Sequence, residues 1–340
     1  MAVARGAHVV VAGPRATHET FGFDGVGCEV REVEIAAGPR PLADLRAART
    51  LRTALADRDV VHAHGLRAGF LAGVAKPRGA PFVVTWHNAV LARGPLRAAY
   101  AVLERLTARR ADVTLCVSGD LVTRVRALGG RDVRLAPVGS AVPARSARSV
   151  GDLRRELGVV VDAPLVLAIG RLAPQKGFDV LVRAAALLRS RDPAPLCVIA
   201  GDGPLREELA ELISDLHAPV VLLGWREDTG DLLAAADLVV MSSRWEGSPL
   251  SAHETLLAGR PLVATAVGGL PELLGGGVAR LVPSENPSAL AKAIRVLLDD
   301  PAERVELGMA GHRRGTEWPD AVTAARGAVD VVAALLEVRR

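Results

Sequence analysis

Cysteine is scarce in this 340-residue chain: Cys28, Cys116 and Cys197 are all it has. No two of them form a C-x-x-C pair, and an odd, scattered set supports neither a disulfide framework nor a zinc site. Cys116 and Cys197 lie in apolar, strand-like runs and read as buried thiols in a reducing compartment. Long apolar runs are also missing. None approaches about 18 residues, so no transmembrane helix is expected, and the short apolar stretch at the N-terminus is strand-like, unlike a signal peptide. No G-x-G-x-x-G opens the first unit, which argues against a nicotinamide dehydrogenase. Aromatic residues make up 3% of the chain, and lysine is limited to Lys76, Lys176 and Lys292 among 42 basic residues. The near-exclusive use of Arg points to a GC-rich bacterial genome.

What is abundant is apolar. Half of the residues are hydrophobic, enough to bury two cores, and the length suits two domains of about 150–200 residues. Strand-like runs at His8–Ala12, Val60–His64, Phe82–His87, Val113–Ser118, Leu165–Ile169, Leu196–Ala200, Val220–Leu223, Leu238–Met241 and Leu262–Ala266 alternate with stretches of helical period such as Leu96–Arg110, Val180–Arg189 and Leu205–Leu216. Continuous apolar strands separated by helices indicate parallel sheets covered on both faces. The expectation is an α/β chain of two doubly wound, Rossmann-like domains. The polar, non-periodic stretch after Pro143 marks the boundary between them. Domains are expected over 1–145 and 160–318, with a last helical segment over 319–340.

Charge is uneven. Residues 1–150 hold 22 Lys+Arg against 12 Asp+Glu, whereas the remainder holds 20 against 26, giving +10 and −6 within the net +4. A basic first half suits an acidic acceptor or an anionic membrane surface. Leu96–Arg110 adds an amphipathic helix carrying Arg97, Arg105, Arg109 and Arg110.

The densest chemistry lies at 244–254, Arg-Trp-Glu-Gly-Ser-Pro-Leu-Ser-Ala-His-Glu. Glu246 and Glu254 stand eight residues apart around a Gly-Ser-Pro turn that follows an apolar strand and precedes a helix. A strand, a small-residue turn and a helix start present free N–H groups and the positive helix end to an anion. Gly247, Ser248 and Leu250 supply those amides; Pro249 has none. Upstream, Gly170-Arg-Leu-Ala-Pro-Gln-Lys-Gly177 follows a strand and offers two cations, Arg171 and Lys176. Arg grips two oxygens at once and Lys acts as a point charge.

These two blocks in order, with Ala200-Gly-Asp-Gly-Pro204 between them and Val267-Gly-Gly-Leu-Pro-Glu272 beyond, resemble the retaining glycosyltransferases of family 4. The first matches their E-x7-E signature and the second their G-R-L-x-x-x-K-G pattern. The resemblance implies the GT-B fold, with two Rossmann-like domains facing a cleft and a C-terminal helix crossing back to the N-terminal domain. It implies an enzyme that moves a hexose from a nucleoside-diphosphate sugar to an acceptor (lipid, glycan or small molecule) with retention of anomeric configuration, without a metal or other cofactor. By the same resemblance Arg171 and Lys176 stabilise the leaving diphosphate, Glu254 accepts the ribose hydroxyls and Glu246 lies by the hexose. Gly170, Gly201, Gly203 and Arg226 join Gly247, Ser248, Leu250 and Glu254 in holding the donor. His87, ending a strand in Thr85-Trp-His-Asn88, is the candidate for contact with the hexose. His62 and His64 share one strand face, but no acidic or Cys partner is near them, so no metal is expected.

The expected setting is cytoplasmic, peripheral at the inner face of the plasma membrane, with no nucleic-acid partner. Other readings are a sugar-nucleotide epimerase or a phosphorylase of the same fold, or a non-catalytic remnant that binds the nucleotide sugar. The last arises from a departure: Ala4–Gly13 reads as the step that follows the family's first strand, Gly-rich turn and first helix. Either the start lies upstream or the first domain is abnormal, with a sheet that exposes two long edges.

Overall fold

A computed structural model describes the chain apart from residues 37, 39, 91–93 and 338–340, and without the side chain of Pro95. In chain order the elements are β1 (Val10–Gly13), α1 (Arg15–Phe21), β2 (Glu29–Glu32), α2 (Pro41–Ala54), β3 (Val61–His64), α3 (Leu66–Ala75), β4 (Phe82–Trp86), α4 (Pro95–Arg110), β5 (Val113–Cys116), α5 (Gly119–Ala127), β6 (Asp132–Leu135), α6 (Val150–Glu156), β7 (Leu165–Ile169), α7 (Phe178–Leu188), β8 (Leu196–Ala200), α8 (Arg206–Leu216), β9 (Val220–Gly224), α9 (Thr229–Ala235), β10 (Leu238–Met241), α10 (Leu250–Leu257), β11 (Leu262–Thr265), α11 (Leu270–Leu274), β12 (Arg280–Val282), α12 (Pro287–Asp299), α13 (Pro301–Glu317) and α14 (Ala321–Glu337). They form two compact units, Met1–Pro137 with Val322–Arg340, and Val138–Ala321.

The first unit holds a four-stranded parallel sheet in the order β3-β4-β5-β6 and a separate parallel pair, β1-β2. Phe82, Val83, Val84 and Trp86 of β4 are buried on both faces, as expected for a central strand of a covered parallel sheet. Val83, Val113 and Leu115 pack against Ala328, Val331, Val332 and Leu335 of α14, so the last helix belongs to this unit's core. The β1-β2 pair is tied in through helices: Val33 after β2 and Ala12 of β1 pack with Ala47 and Leu51 of α2 and Leu71 and Ala75 of α3.

The second unit is one six-stranded parallel sheet, ordered β12-β11-β10-β7-β8-β9. This is a doubly wound arrangement in which the strand order reverses between β7 and β10. Period-two alternation divides the core: Val166 and Ala168 of β7 join the layer with α7 and α12, while Leu165 and Leu167 join the layer with α9 and α10.

The polar stretch before α6 belongs wholly to the second unit. The Ser149 hydroxyl caps α6 by accepting from the Asp152 N–H at 3.1 Å, the Ser146 N–H donates to Asp231, and Leu153 and Leu157 enter the core. The division at Pro137–Val138 thus precedes the polar stretch.

Candidate functional site

The carboxyl ends of β10, β7 and β8 are neighbours in the second sheet. In an open α/β sheet this end of the switch point is where ligands bind. Three loops leave from it. Gly170–Gly177 follows β7, Gly201–Pro204 follows β8, and Ser242–Pro249 follows β10.

The first two loops lie backbone against backbone. The Leu172 N–H donates to Asp202 O at 2.9 Å and the Leu205 N–H to Leu172 O at 3.1 Å. A Cβ on Gly201 would stand 2.0 Å from Gly170 O, and one on Gly203 would stand 2.5 Å from Leu172 O. Only glycine permits this approach.

The first and third loops are joined by side chains. Lys176 Nζ donates to Glu246 Oε1 at 2.6 Å, and the Ser243 hydroxyl donates to the same oxygen at 2.6 Å. Gln175 Nε2 donates to Trp245 O, and Arg244 to Pro174 O and to both carboxylate oxygens of Asp179. That bidentate hold, with a further pairing to Glu285, raises the Arg244 pKa beyond its ordinary value. Glu246 is 4% exposed. Its carbonyl accepts the Gly269 N–H at 2.8 Å, and a Cβ on Gly268 would stand 1.9 Å from that oxygen. Arg171, in contrast, is exposed, and among the described residues its guanidinium makes no ion pair or hydrogen bond.

Helix α10 starts at the end of the third loop. Among the described residues, the N–H groups of Gly247, Ser248, Leu250 and Ser251 make no hydrogen bond; the first in the helix are from Ala252 and His253 to Pro249 O. The Ser248 side chain is engaged, its hydroxyl donating to Val138 O at 2.9 Å. Glu254, just over one turn in, accepts the Ser140 hydroxyl on Oε1 at 2.9 Å.

Arg226 stands apart from this group. Its guanidinium grips Asp228 through two bonds of 2.7 and 2.5 Å and reaches Glu156 at 3.1 Å. The Arg226 bond holds Asp228 below the usual carboxylate range. In this arrangement Arg226 closes the loop after β9 with three of its five N–H groups committed to acids.

In the first unit, His64 ends β3 and His87 directly follows the paired strand β4. His64 Nδ1 and His87 Nε2 are 3.1 Å apart, their rings stacked at 5.4 Å. His62 lies 4.3 Å from His64, ring centre to ring centre, with Nε2 at 2.7 Å from the Thr85 hydroxyl. Burial, then the neighbouring His64 and His87, pushes His62 down to about 3. Burial, then His64, pushes His87 down to about 4, and burial shifts His64 the same way. Among the described residues no group of three or more His, Cys, Asp or Glu is placed to hold a metal ion.

Both units match known proteins. Residues 2–141 match the family model of the glycosyl transferase 4-like domain, and residues 163–300 that of glycosyl transferases group 1. The D-inositol 3-phosphate glycosyltransferase 1 of Catenulispora acidiphila is 33% identical over 329 residues, covering 86% of this chain and 76% of that one. The chain belongs to the family 4 glycosyltransferases. Two solved structures share the fold of this glycosyltransferase at low identity. Sucrose-phosphate synthase from Thermosynechococcus elongatus aligns with a TM-score of 0.80 at 19% identity, over 98% of this chain and 100% of that one. HepE of Anabaena, solved in complex with UDP-glucose, aligns with a TM-score of 0.80 at 22% identity, over 96% and 91%.

Several residues of the candidate site were not singled out by sequence pattern. Gln175 fills an unspecified position of the Gly170–Gly177 motif, Arg244 and His253 lie within the 244–254 block, Ser243 just precedes it, and Ser140 comes from a separate part of the chain. The Ser-Ser step directly after β10 was the one available signal, since small hydroxyl residues at a strand's carboxyl end are positioned to hold the loop that follows.

The histidine cluster sets a pH dependence. An unfolded imidazole takes up a proton below about pH 6.5, whereas folded His62 and His87 resist it until about pH 3 and 4. The unfolded state therefore binds more protons between these limits, so stability falls as pH drops through that window. Urea unfolding of wild type beside His62→Gln should show wild type losing about 1–2 kcal/mol more than the variant between pH 7 and 5. Equal losses in both would contradict the assignment.

Proposed function

We propose that this glycosyltransferase transfers a hexose from a nucleoside-diphosphate sugar to an acceptor with retention of configuration, its donor held by the second unit. The observation that carries this reading is the convergence of cations and free amides at adjacent strand ends. Arg171 and Lys176 follow β7, and the α10 N-terminus follows β10. A leaving nucleoside diphosphate gains negative charge in the transition state, and fixed cations and amides aimed at it lower that barrier. Lys176 has three donor hydrogens, and one is committed to Glu246. Two remain for a diphosphate. Glu246 thereby anchors Lys176, and its buried carboxylate stands by the hexose in this reading. Glu254 receives the ribose diol, because a carboxylate accepts from two hydroxyls. Gly201 and Gly203 shape the floor by letting two loops meet, and Gly170 leaves room for the Lys176 side chain. His87 is the first unit's candidate for contact with the hexose, held neutral and thus able to accept or donate one hydrogen bond.

Thermal unfolding with UDP, GDP and ADP tests the donor site. A ligand near 100 times its dissociation constant adds about 2.7 kcal/mol and moves the midpoint by several degrees. Stabilisation by one nucleotide, with transfer from its sugar derivative and an unchanged anomer in the product by NMR, is the expected result. No shift with any nucleotide would overturn the reading.

The acceptor is proposed to lie at an anionic membrane surface. On α4, Leu96, Val102 and Leu106 are 56%, 57% and 43% exposed, beside exposed Arg97, Arg105 and Arg109. Its inner side is fixed by buried Thr107, Ala108 and Glu104, the last paired with Arg124 at 2.7 Å. Exposed apolar side chains flanked by Arg suit an interfacial helix. No helix among the described residues is long and apolar enough to cross a membrane. The protein should co-sediment with vesicles containing anionic lipid, and Val102→Glu/Leu106→Glu should reduce binding several-fold. Equal binding to neutral vesicles would sink the proposal.

A further inference from the structure

His253 is 2% exposed in the middle of α10, and the proposed mechanism makes no use of it. Both of its ring nitrogens are engaged. The Ser140 N–H donates to Nδ1 at 2.9 Å, and Nε2 lies 2.9 Å from Gly315 O at the end of α13. An N–H cannot donate to a protonated nitrogen, so Nδ1 is the bare acceptor. Nε2 then carries the proton and donates to Gly315 O. The imidazole is thus a neutral bridge in one fixed tautomer.

What the bridge holds is Ser140. This residue is 7% exposed and lies 113 residues from His253 in the chain. Its neighbours leave it little freedom. A Cβ on Gly139 would stand 1.8 Å from Pro319 O, and Val138 O is bonded to the Ser248 hydroxyl. With its backbone clamped on three sides, Ser140 delivers its hydroxyl to Glu254 Oε1 at 2.9 Å. Among the described residues Oε2 has no partner, so one oxygen of the carboxylate is tethered and the other is left open. A long side chain that would otherwise sample several rotamers is oriented before any ligand arrives. Pre-orientation of this kind strengthens binding by removing the cost of ordering the group later.

We propose that Ser140, held by His253, is a positioning residue for Glu254 that sets how strongly the enzyme prefers a ribonucleotide over its 2′-deoxy counterpart. The inference rests on the reading of Glu254 as the ribose acceptor. It assigns to Ser140 and His253 no contact with the nucleotide, only control of the carboxylate that makes one.

The test compares binding of UDP, GDP and ADP with their 2′-deoxy counterparts by calorimetry, in wild type, Glu254→Ala, Ser140→Ala, His253→Gln and His253→Asn. Wild type should prefer the ribonucleotide by about tenfold or more, as expected for a hydrogen bond to a charged group. Glu254→Ala should remove the preference. Ser140→Ala should weaken the ribonucleotide about five- to tenfold and leave the deoxynucleotide nearly unchanged. Retained deoxynucleotide binding also shows that the variant is folded. Asn places an amide oxygen near the position of Nδ1, whereas Gln places its polar end near that of Nε2. His253→Asn should therefore keep the preference within about twofold of wild type and His253→Gln should lower it, a contrast that stands even if Ser140→Ala does not fold. A preference that Glu254→Ala abolishes but Ser140→Ala and His253→Gln leave intact would overturn the positioning role while sparing the donor site. No preference in wild type, or one that survives Glu254→Ala, would overturn the ribose assignment and this inference with it.

Discussion

Lys176→Ala should lower stability by about 2–4 kcal/mol and transfer activity by about 100- to 1,000-fold, and a double variant should separate the two losses. Lys176 Nζ and Glu246 Oε1 are 2.6 Å apart, with side-chain exposures of 20% and 5%. Removing the ammonium leaves a buried carboxylate with the Ser243 hydroxyl as its remaining side-chain donor. An uncompensated buried charge is what makes breaking such a pair costly. Replacing both partners with neutral groups of similar volume, Lys176→Met/Glu246→Gln, should return most of the stability because no charge is stranded. Activity should not return, since the cation facing the diphosphate is still missing. Urea midpoints and initial rates on the same preparations give both readings. Recovery of activity together with stability would make the pair a structural tie alone. An unchanged midpoint in Lys176→Ala would show that the pair does not hold the two loops together.

Most legible in the sequence are the strands buried on both faces, β4, β5, β7, β8, β10 and β11; β1, β3 and β9 lie at sheet edges but carry no Asp, Glu, Lys or Arg. Nine strands were visible as apolar runs, β4 and β10 most clearly. Three were not: β2 (Glu-Val-Arg-Glu), β6 (Asp-Val-Arg-Leu) and β12 (Arg-Leu-Val). Each of these lies at the edge of its sheet. These three edge strands are half solvated and carry charges that block further pairing, so their pattern is indistinguishable from a polar loop. The split of the first unit into two sheets follows from pairing across the sheet. No local pattern encodes it.

The same logic divides the site. Gly170, Arg171, Lys176, Glu246 and Glu254 are named as candidates by motif spacing, which is local. The Ser140–Glu254 contact has no such signal, since the two lie 114 residues apart and only the fold brings them together. Arg226, expected among the donor contacts, is held by an acid two residues on, Asp228, whereas Arg171 is held by none of the described residues.

That contrast yields the second large prediction. Arg171→Ala should lower kcat/KM by about 100- to 1,000-fold, equivalent to about 2.7–4 kcal/mol of transition-state stabilisation. It should leave stability within about 0.5 kcal/mol of wild type, as for surface positions free of structural contacts, because the exposed guanidinium of Arg171 pairs with none of the described residues. Arg226→Ala should behave in reverse. It removes the bidentate partner of Asp228 and one of the two cations at Glu156, leaving Arg148 beside both, and loosens the loop after β9, so about 1 kcal/mol of stability is expected to go, with kcat/KM within about threefold. Lys at position 171 should rescue only part of the loss, since a point charge replaces a planar fork that grips two oxygens. Rates and urea midpoints for the three variants decide the matter together. If Arg171→Ala keeps activity within tenfold of wild type while Arg226→Ala does not, the donor diphosphate lies by the loop after β9, and the assignment of the cations must be exchanged.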